Sequence, residues 1–126
     1  MYAYFNENPA GRSVGDCAVR AVSKALDQTW EQTYVGLCME GFLMGDLPNS
    51  DSVWGRYLRN HGFKRYLIPD ECPDCMTVER FAEENPEGVF ILSMPGRHVV
   101  SVVDGQYWDS WDSGNEVPEY YWTKEC

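Results

Sequence analysis

The dipeptide Asp104-Gly105, set between two short apolar-rich runs, constrains this chain more than any other feature. A two-residue Asp-Gly loop is the strongest local signal for a type I′ hairpin, because both positions tolerate the left-handed backbone that such a turn needs. The residues His98 to Val103 and Gln106 to Trp111 are therefore predicted to pair antiparallel. Register follows by counting outward from the turn. Val103 faces Gln106, Val100 faces Asp109 and His98 faces Trp111. Side chains alternate along each strand, so His98, Val100, Asp109 and Trp111 are expected on one face. Asp109 is then diagonal to His98 and within reach of its imidazole. Asp112 falls on the opposite face, and a one-residue slip would exchange the two aspartates.

A second segment answers the first. Gly15-Asp16-Cys17-Ala18-Val19-Arg20 reads as a helix start, with Asp16 as N-cap and Ala18, Ala21, Val22, Ala25 and Leu26 following at helical spacing. A thiol there sits in positive potential, since the first backbone N–H groups and the helix dipole both favour the thiolate. An imidazole brought in from a distant strand completes an activated nucleophile. The chain has two histidines, His61 and His98. His61 closes a helix just before Gly62 and reads as structural, so His98 is the candidate. In triad logic, Cys17 attacks an acyl carbon and His98 takes the thiol proton and returns it to the leaving group. Asp109 holds the ring in the useful tautomer.

The Cys17 backbone N–H supplies one oxyanion donor, and the second is expected from a side-chain amide just upstream. Asn8 and Asn6 are the amides available, with no Gln between Met1 and Cys17. Each residue also has a plainer reading. Cys17 is a small hydrophobe at a tight helix start, His98 a satisfied sheet histidine, and Asp109 an exposed strand or turn carboxylate. Arg20, one turn after Cys17, either supports the thiolate or, the preferred reading, pairs with Asp16 at the surface.

The remainder reads as one α+β domain over residues 1–126, helices first and an antiparallel sheet after. Residues 1 to 12 read as an irregular lead-in. Thr29 and Gln32 form a capping box for a helix from Trp30 to about Met39, with Trp30, Tyr34, Leu37 and Cys38 on one face. A third helix is predicted from Ser52 to His61, stopped by Gly62. Phe63 to Ile68 follows as a short strand, and Thr77 caps a fourth helix to about Glu84. Val89 to Met94 is a buried strand, and Tyr120-Tyr121-Trp122 adds an edge strand after Pro118.

Twenty acidic against ten basic residues, a formal charge of −10, exclude nucleic acid as the main partner, because phosphate binding needs clustered Lys and Arg. Hence Trp108, Trp111, Tyr120, Tyr121 and Trp122 read as core and cleft wall rather than a base-stacking platform. No signal peptide or membrane span is visible, so the default expectation is cytoplasmic. There the five cysteines stay mostly reduced, and an odd number cannot all pair. Cys72-Pro73-Asp74-Cys75 is half a zinc site or a redox pair by spacing. Without a partner set or a βαβ context it reads as a structural turn, and no metal or organic cofactor is expected.

A Cys opening a helix (Gly15-Asp16-Cys17), then His98 on a strand 81 positions later, then Asp109 on the next strand, resembles the papain-like cysteine peptidase family. The small size is similar to compact bacterial and phage-type members, including the bacteriocin-processing peptidase domains. The resemblance implies N-terminal helices packed on a C-terminal antiparallel sheet. It also implies thiol-dependent cleavage of a peptide, isopeptide or amide bond in a protein or peptide substrate. Acyl transfer or deamidation on the same site is the neighbouring reading. A binding or regulatory module without turnover is the other, favoured by the missing Gln upstream of Cys17.

Overall fold

The computed structural model describes residues 1–12, 15–68 and 76–124. Its elements run β1 (Tyr2–Tyr4), α1 (Cys17–Leu26), α2 (Trp30–Met44), α3 (Asp51–Asn60), β2 (Phe63–Leu67), α4 (Val78–Glu84), β3 (Val89–Met94), β4 (His98–Val103), β5 (Gln106–Asp109) and β6 (Tyr120–Lys124). Among the described residues this is an α+β arrangement of four helices and one six-stranded sheet, ordered β1-β5-β4-β3-β6-β2.

The hairpin forms as its turn chemistry requires. Asp104 and Gly105 both take left-handed backbone, at φ of 51° and 80°. Val103 lies opposite Gln106, Val102 opposite Tyr107 and Ser101 opposite Trp108, the register obtained by counting.

Both faces of the sheet are covered, which explains the nearly continuous apolar sequences of β3 and β4. On one face α1 lies across β4, and its Ala18, Val19, Ala21 and Val22 join Ile91, Val99, Trp122, Leu37, Trp54 and Leu58 in one buried cluster. On the other, Val78, Phe81 and Ala82 of α4 pack on Leu92, Val100, Val102 and Tyr107.

Several helix signals act as read. The Thr29–Gln32 capping box is complete in both directions, and the Thr77 hydroxyl accepts from Arg80 N. His61 ends α3, its Nδ1 2.8 Å from Tyr57 O and its ring 4.6 Å from the Tyr57 ring.

Six expectations are corrected. The lead-in is not wholly irregular: Tyr2–Tyr4 pairs parallel with β5, which makes the sheet mixed rather than antiparallel. The Tyr2 ring packs 5.6 Å from Tyr107, a tertiary contact that three residues of sequence cannot announce. Tyr120–Lys124 is not an edge strand, for it lies between β3 and β2. Trp122 is buried against Trp54 on one face and Tyr121 packs on Phe81 on the other, so the strand is held from both sides.

Helix α2 continues past Met39 to Met44. Gly41 does not break it, because that glycine is buried where the chain doubles back: a Cβ there would lie 2.7 Å from the Asp46 carbonyl oxygen. The helix ends instead at left-handed Gly45, whose N–H donates to the Phe42 carbonyl while Asp46 N donates to that of Gly41. Its buried face is Thr33, Leu37, Glu40 and Gly41, whereas Tyr34 is exposed. Helix α3 occupies Asp51–Asn60, one residue earlier than read from sequence.

Candidate active site

Three elements end at one place: α1 begins at Cys17, β4 begins at His98 and β5 stops at Asp109. The chain around Asp109 is pinned by β1, since Phe5 N donates to the Asp109 carbonyl at 2.8 Å and the Tyr2 hydroxyl at 3.1 Å. His98 Nε2 is 2.6 Å from Asp109 Oδ2. With Nε2 engaged by the carboxylate, Nδ1 is the nitrogen that remains for the thiol, and side-chain interaction with Cys17 is felt by both groups.

The Cys17 thiol donates to the Arg97 carbonyl at 3.4 Å. Arg97 closes the three-residue loop between β3 and β4 in left-handed backbone (φ 68°), directly after left-handed Gly96. An arginine held there is a strained residue beside the thiol. The tight loop also aligns the Val99 N–H with the sulfur, a donor that favours the thiolate.

The electrostatics favour a thiolate beside an imidazolium. Burial pushes the Cys17 thiol up, but the His98 hydrogen bond, the Val99 N–H and the charges of His98 and Arg20 outweigh it, and its pKa lies below the ordinary value. Burial likewise pushes His98 down, yet its hydrogen bonds to Asp109 and Cys17 and their negative charges raise it to about 9. The Trp111 ring, half exposed, lies 4.8 Å from the imidazole and shields it.

Asp109 is fully buried, and its two oxygens take four donors. Oδ2 accepts from His98 and from Ser113 Oγ at 2.7 Å; Oδ1 accepts from Ser110 N at 2.7 Å and from Arg20 Nη2 at 3.3 Å. Arg20 is itself buried, 5% exposed, and its Nη1 reaches Asp16 at 2.8 Å. Trp30 Nε1 of α2 donates to the other Asp16 oxygen at 2.9 Å. The surface pairing expected for Arg20 and Asp16 is therefore corrected, because the pair is buried and shared with Asp109. Asp16 occupies the N-cap position without capping through its side chain, since its carboxylate is committed to Arg20 and Trp30.

Sequence reasoning missed Ser113 and Arg20 as supports of Asp109. The i,i+4 spacing of Asp16 and Arg20 was a signal for their pairing; nothing local signals Ser113. Asp112 stands apart. It accepts from the Tyr107 hydroxyl and Gly114 N, which hold its carboxyl below the usual carboxylate range. The oxyanion candidates lie in the lead-in loop. Asn6 spends both ends of its amide locally, Oδ1 on Asn8 N and Nδ2 on the Arg12 carbonyl. Asn8 Oδ1 accepts from Ala10 and Arg12 N, and its Nδ2 has no acceptor among the described residues. Cys72 and Cys75 lie outside the described residues.

Two clefts share Arg97 in their walls, and neither is lined by Cys17, His98 or Asp109. One of about 240 Å³ is walled by Trp54, Met94, Pro95, Tyr120 and Trp122 as well as Arg97. The other, about 310 Å³, lies between Arg97 and the segment carrying Asp46, Leu47, Ser50 and Asp51.

The assignment of the orienting carboxylate has a direct reading. Asp109→Asn is expected to drop the His98 pKa from about 9 to its ordinary 6.5 or below, because burial then acts with far less opposition. Asp112→Asn is expected to leave it in place. NMR titration of the His98 ring protons reads both, with His61 the only other histidine to resolve. The opposite pattern would move the role to Asp112. No helix among the described residues is long and apolar enough to cross a membrane. Comparison of the chain with known protein families, characterised proteins and solved structures finds no match.

Proposed function

We propose that this protein is a thiol-dependent hydrolase of papain-like design that cleaves a peptide, isopeptide or amide bond through an acyl-enzyme. The observation that carries this reading is the 2.6 Å contact of His98 Nε2 with Asp109 at the end of the sheet where α1 delivers Cys17, whose thiol donates to the carbonyl of Arg97, the residue next to His98.

In the reaction, the Cys17 thiolate adds to the carbonyl carbon, and the developing oxyanion is received by the Cys17 N–H. That donor is one of those a helix start leaves without an intrahelical acceptor. Asn8 Nδ2 is the candidate for the second. Imidazolium His98 protonates the leaving amine as the C–N bond breaks, leaving a thioester on Cys17. His98, now neutral, deprotonates water, which attacks the thioester and restores the thiol. Asp109 holds the ring throughout, supported by Ser113, Ser110 and Arg20. Entry of an amine in place of water would make the same site a transferase.

The test is a panel of peptide amides and esters, with acid quenching and intact-mass measurement of the protein. An acyl adduct mapping to Cys17 is expected, and Cys17→Ala removes both adduct and turnover. The pH dependence of kcat/KM is expected to be bell-shaped. Its rising limb follows thiolate formation, below the ordinary thiol value, and its falling limb lies near 9, where His98 loses the proton it must donate. No adduct and no turnover across the panel, with wild-type folding intact, would favour the non-catalytic module.

A further inference from the structure

The outward face of α2 has the wrong chemistry for a helix facing water. Val35, Met39, Phe42 and Leu43 fall at i, i+4, i+7 and i+8, one straight stripe along the helix. Phe42 and Leu43 are 81% and 73% exposed, and Val35 and Met39 are more than half exposed. The opposite face, with Leu37 and Gly41, is already buried against the body of the protein. A helix apolar on both sides is ordinarily covered on both, and a contiguous exposed stripe of this kind marks an interaction surface rather than scattered surface apolarity.

The charges around the stripe select what covers it. Between Lys24 and Arg56 the chain carries Asp27, Glu31, Glu40, Asp46 and Asp51 and no Lys or Arg. Glu40 is buried and turned to Arg56 and Asn60. Glu31 and Asp46 are exposed and bracket the stripe in sequence, Glu31 in the first turn of α2 and Asp46 just past its left-handed stop, where its carboxylate also accepts from Leu47 N and the Ser50 and Ser52 hydroxyls. The C-terminal end of α2 has no basic residue in its last turn, so the negative pole of its dipole adds to Asp46. A second copy of this chain laid antiparallel would set Glu31 against Asp46 at both ends, in a protein already at −10.

We infer that the α2 stripe is the docking surface for a partner protein's cationic amphipathic helix. Its apolar residues cover Val35, Met39, Phe42 and Leu43, and its Lys or Arg residues meet Glu31 and Asp46. The apolar stripe lines neither cleft beside Arg97, and only Asp46 is shared with one of them, so the inference is tested independently of turnover at Cys17.

The probe is a synthetic helical peptide of about 18 residues, long enough to span the stripe, with a leucine stripe and flanking lysines. Its counterpart keeps the leucines and replaces the lysines by glutamates. Binding to the full chain is followed by fluorescence anisotropy. The lysine peptide is expected to bind and the glutamate peptide not. The double substitution Phe42→Gln with Leu43→Gln is expected to weaken binding at least about tenfold with thermal stability unchanged, since both side chains face solvent. Met39→Gln, made separately, is expected to act in the same direction. Glu31→Gln is expected to weaken binding a few-fold and flatten its salt dependence, while Cys17→Ala leaves binding as it is. Equal binding of both peptides, or unchanged binding to the Phe42/Leu43 variant, overturns the inference. A wild-type dimer in sedimentation that the same double substitution dissociates also overturns it, as does cosedimentation with zwitterionic lipid vesicles.

Discussion

Replacing His98 by alanine is expected to slow alkylation of Cys17 by iodoacetamide, near pH 6.5, by on the order of tenfold to a hundredfold. In the wild type, burial disfavours the thiolate, and the His98 hydrogen bond and charge are foremost among the effects that overcome it. Without the ring, only the Val99 N–H and the Arg20 charge still favour the anion, while the Arg97 carbonyl keeps accepting the thiol proton. The pH at which reactivity rises therefore moves upward, into or above the ordinary thiol range. The same interaction acts on stability from both ends. His98 has its pKa raised on folding, so its contribution is complete below 6.5 and is lost as pH rises through about 9. The thiol has its pKa lowered, so its contribution is complete above its ordinary 9.0 and is lost as pH falls through the folded value. Because each charge is favoured by the other, their mutual attraction is lost below the folded thiol value and again above about 9, when His98 is neutral, so the stabilisation from the pair is greatest between them. The difference in melting temperature between wild type and His98→Ala is expected to be largest there and to shrink above pH 9. An unchanged alkylation profile in the alanine variant would mean that ring and sulfur do not interact.

The parts of this arrangement legible in sequence are those fixed by short-range chemistry. Asp104-Gly105 dictates its own turn, the turn dictates register, and register places Asp109 rather than Asp112 beside His98. The Thr29–Gln32 box and the Gly62 stop are equally local. What escaped reading depends on partners distant in the chain. The three residues of β1 are too few for any periodic signal, and their pairing with β5 is decided by Tyr107 and Trp108 about a hundred positions away. The interior position of β6 depends on Trp54 and Phe81 arriving from two different helices. At the site, an aspartate and an arginine one turn apart read as a surface pair. Only the close approach of α1 to the end of β5 turns them into a buried bridge.

That bridge makes Arg20 the position with the largest expected effect on folding. Its guanidinium lies between two buried carboxylates, Nη1 on Asp16 and Nη2 on Asp109, and one planar fork serves both. Arg20→Met fits the space but leaves Asp16 and Asp109 facing each other without the cation between them. Removing one partner from a buried ionic cluster costs about 3–5 kcal/mol, a large share of the roughly 5–15 kcal/mol that holds a domain of this size. The melting temperature is expected to fall by roughly 10–20 °C. Arg20→Lys keeps the charge but cannot donate to both carboxylates in the same geometry, so an intermediate loss is expected. Asp16→Asn in the Arg20→Met background is expected to recover part of the loss, because it removes one of the two stranded charges, and it leaves the Trp30 indole an oxygen to donate to. Calorimetry on these proteins together with Asp16→Asn alone reads the coupling directly. If Arg20→Met melts within about 3 °C of the wild type, or if Asp16→Asn makes it worse, the guanidinium is not the element that holds Asp16 and Asp109 together at the base of the site.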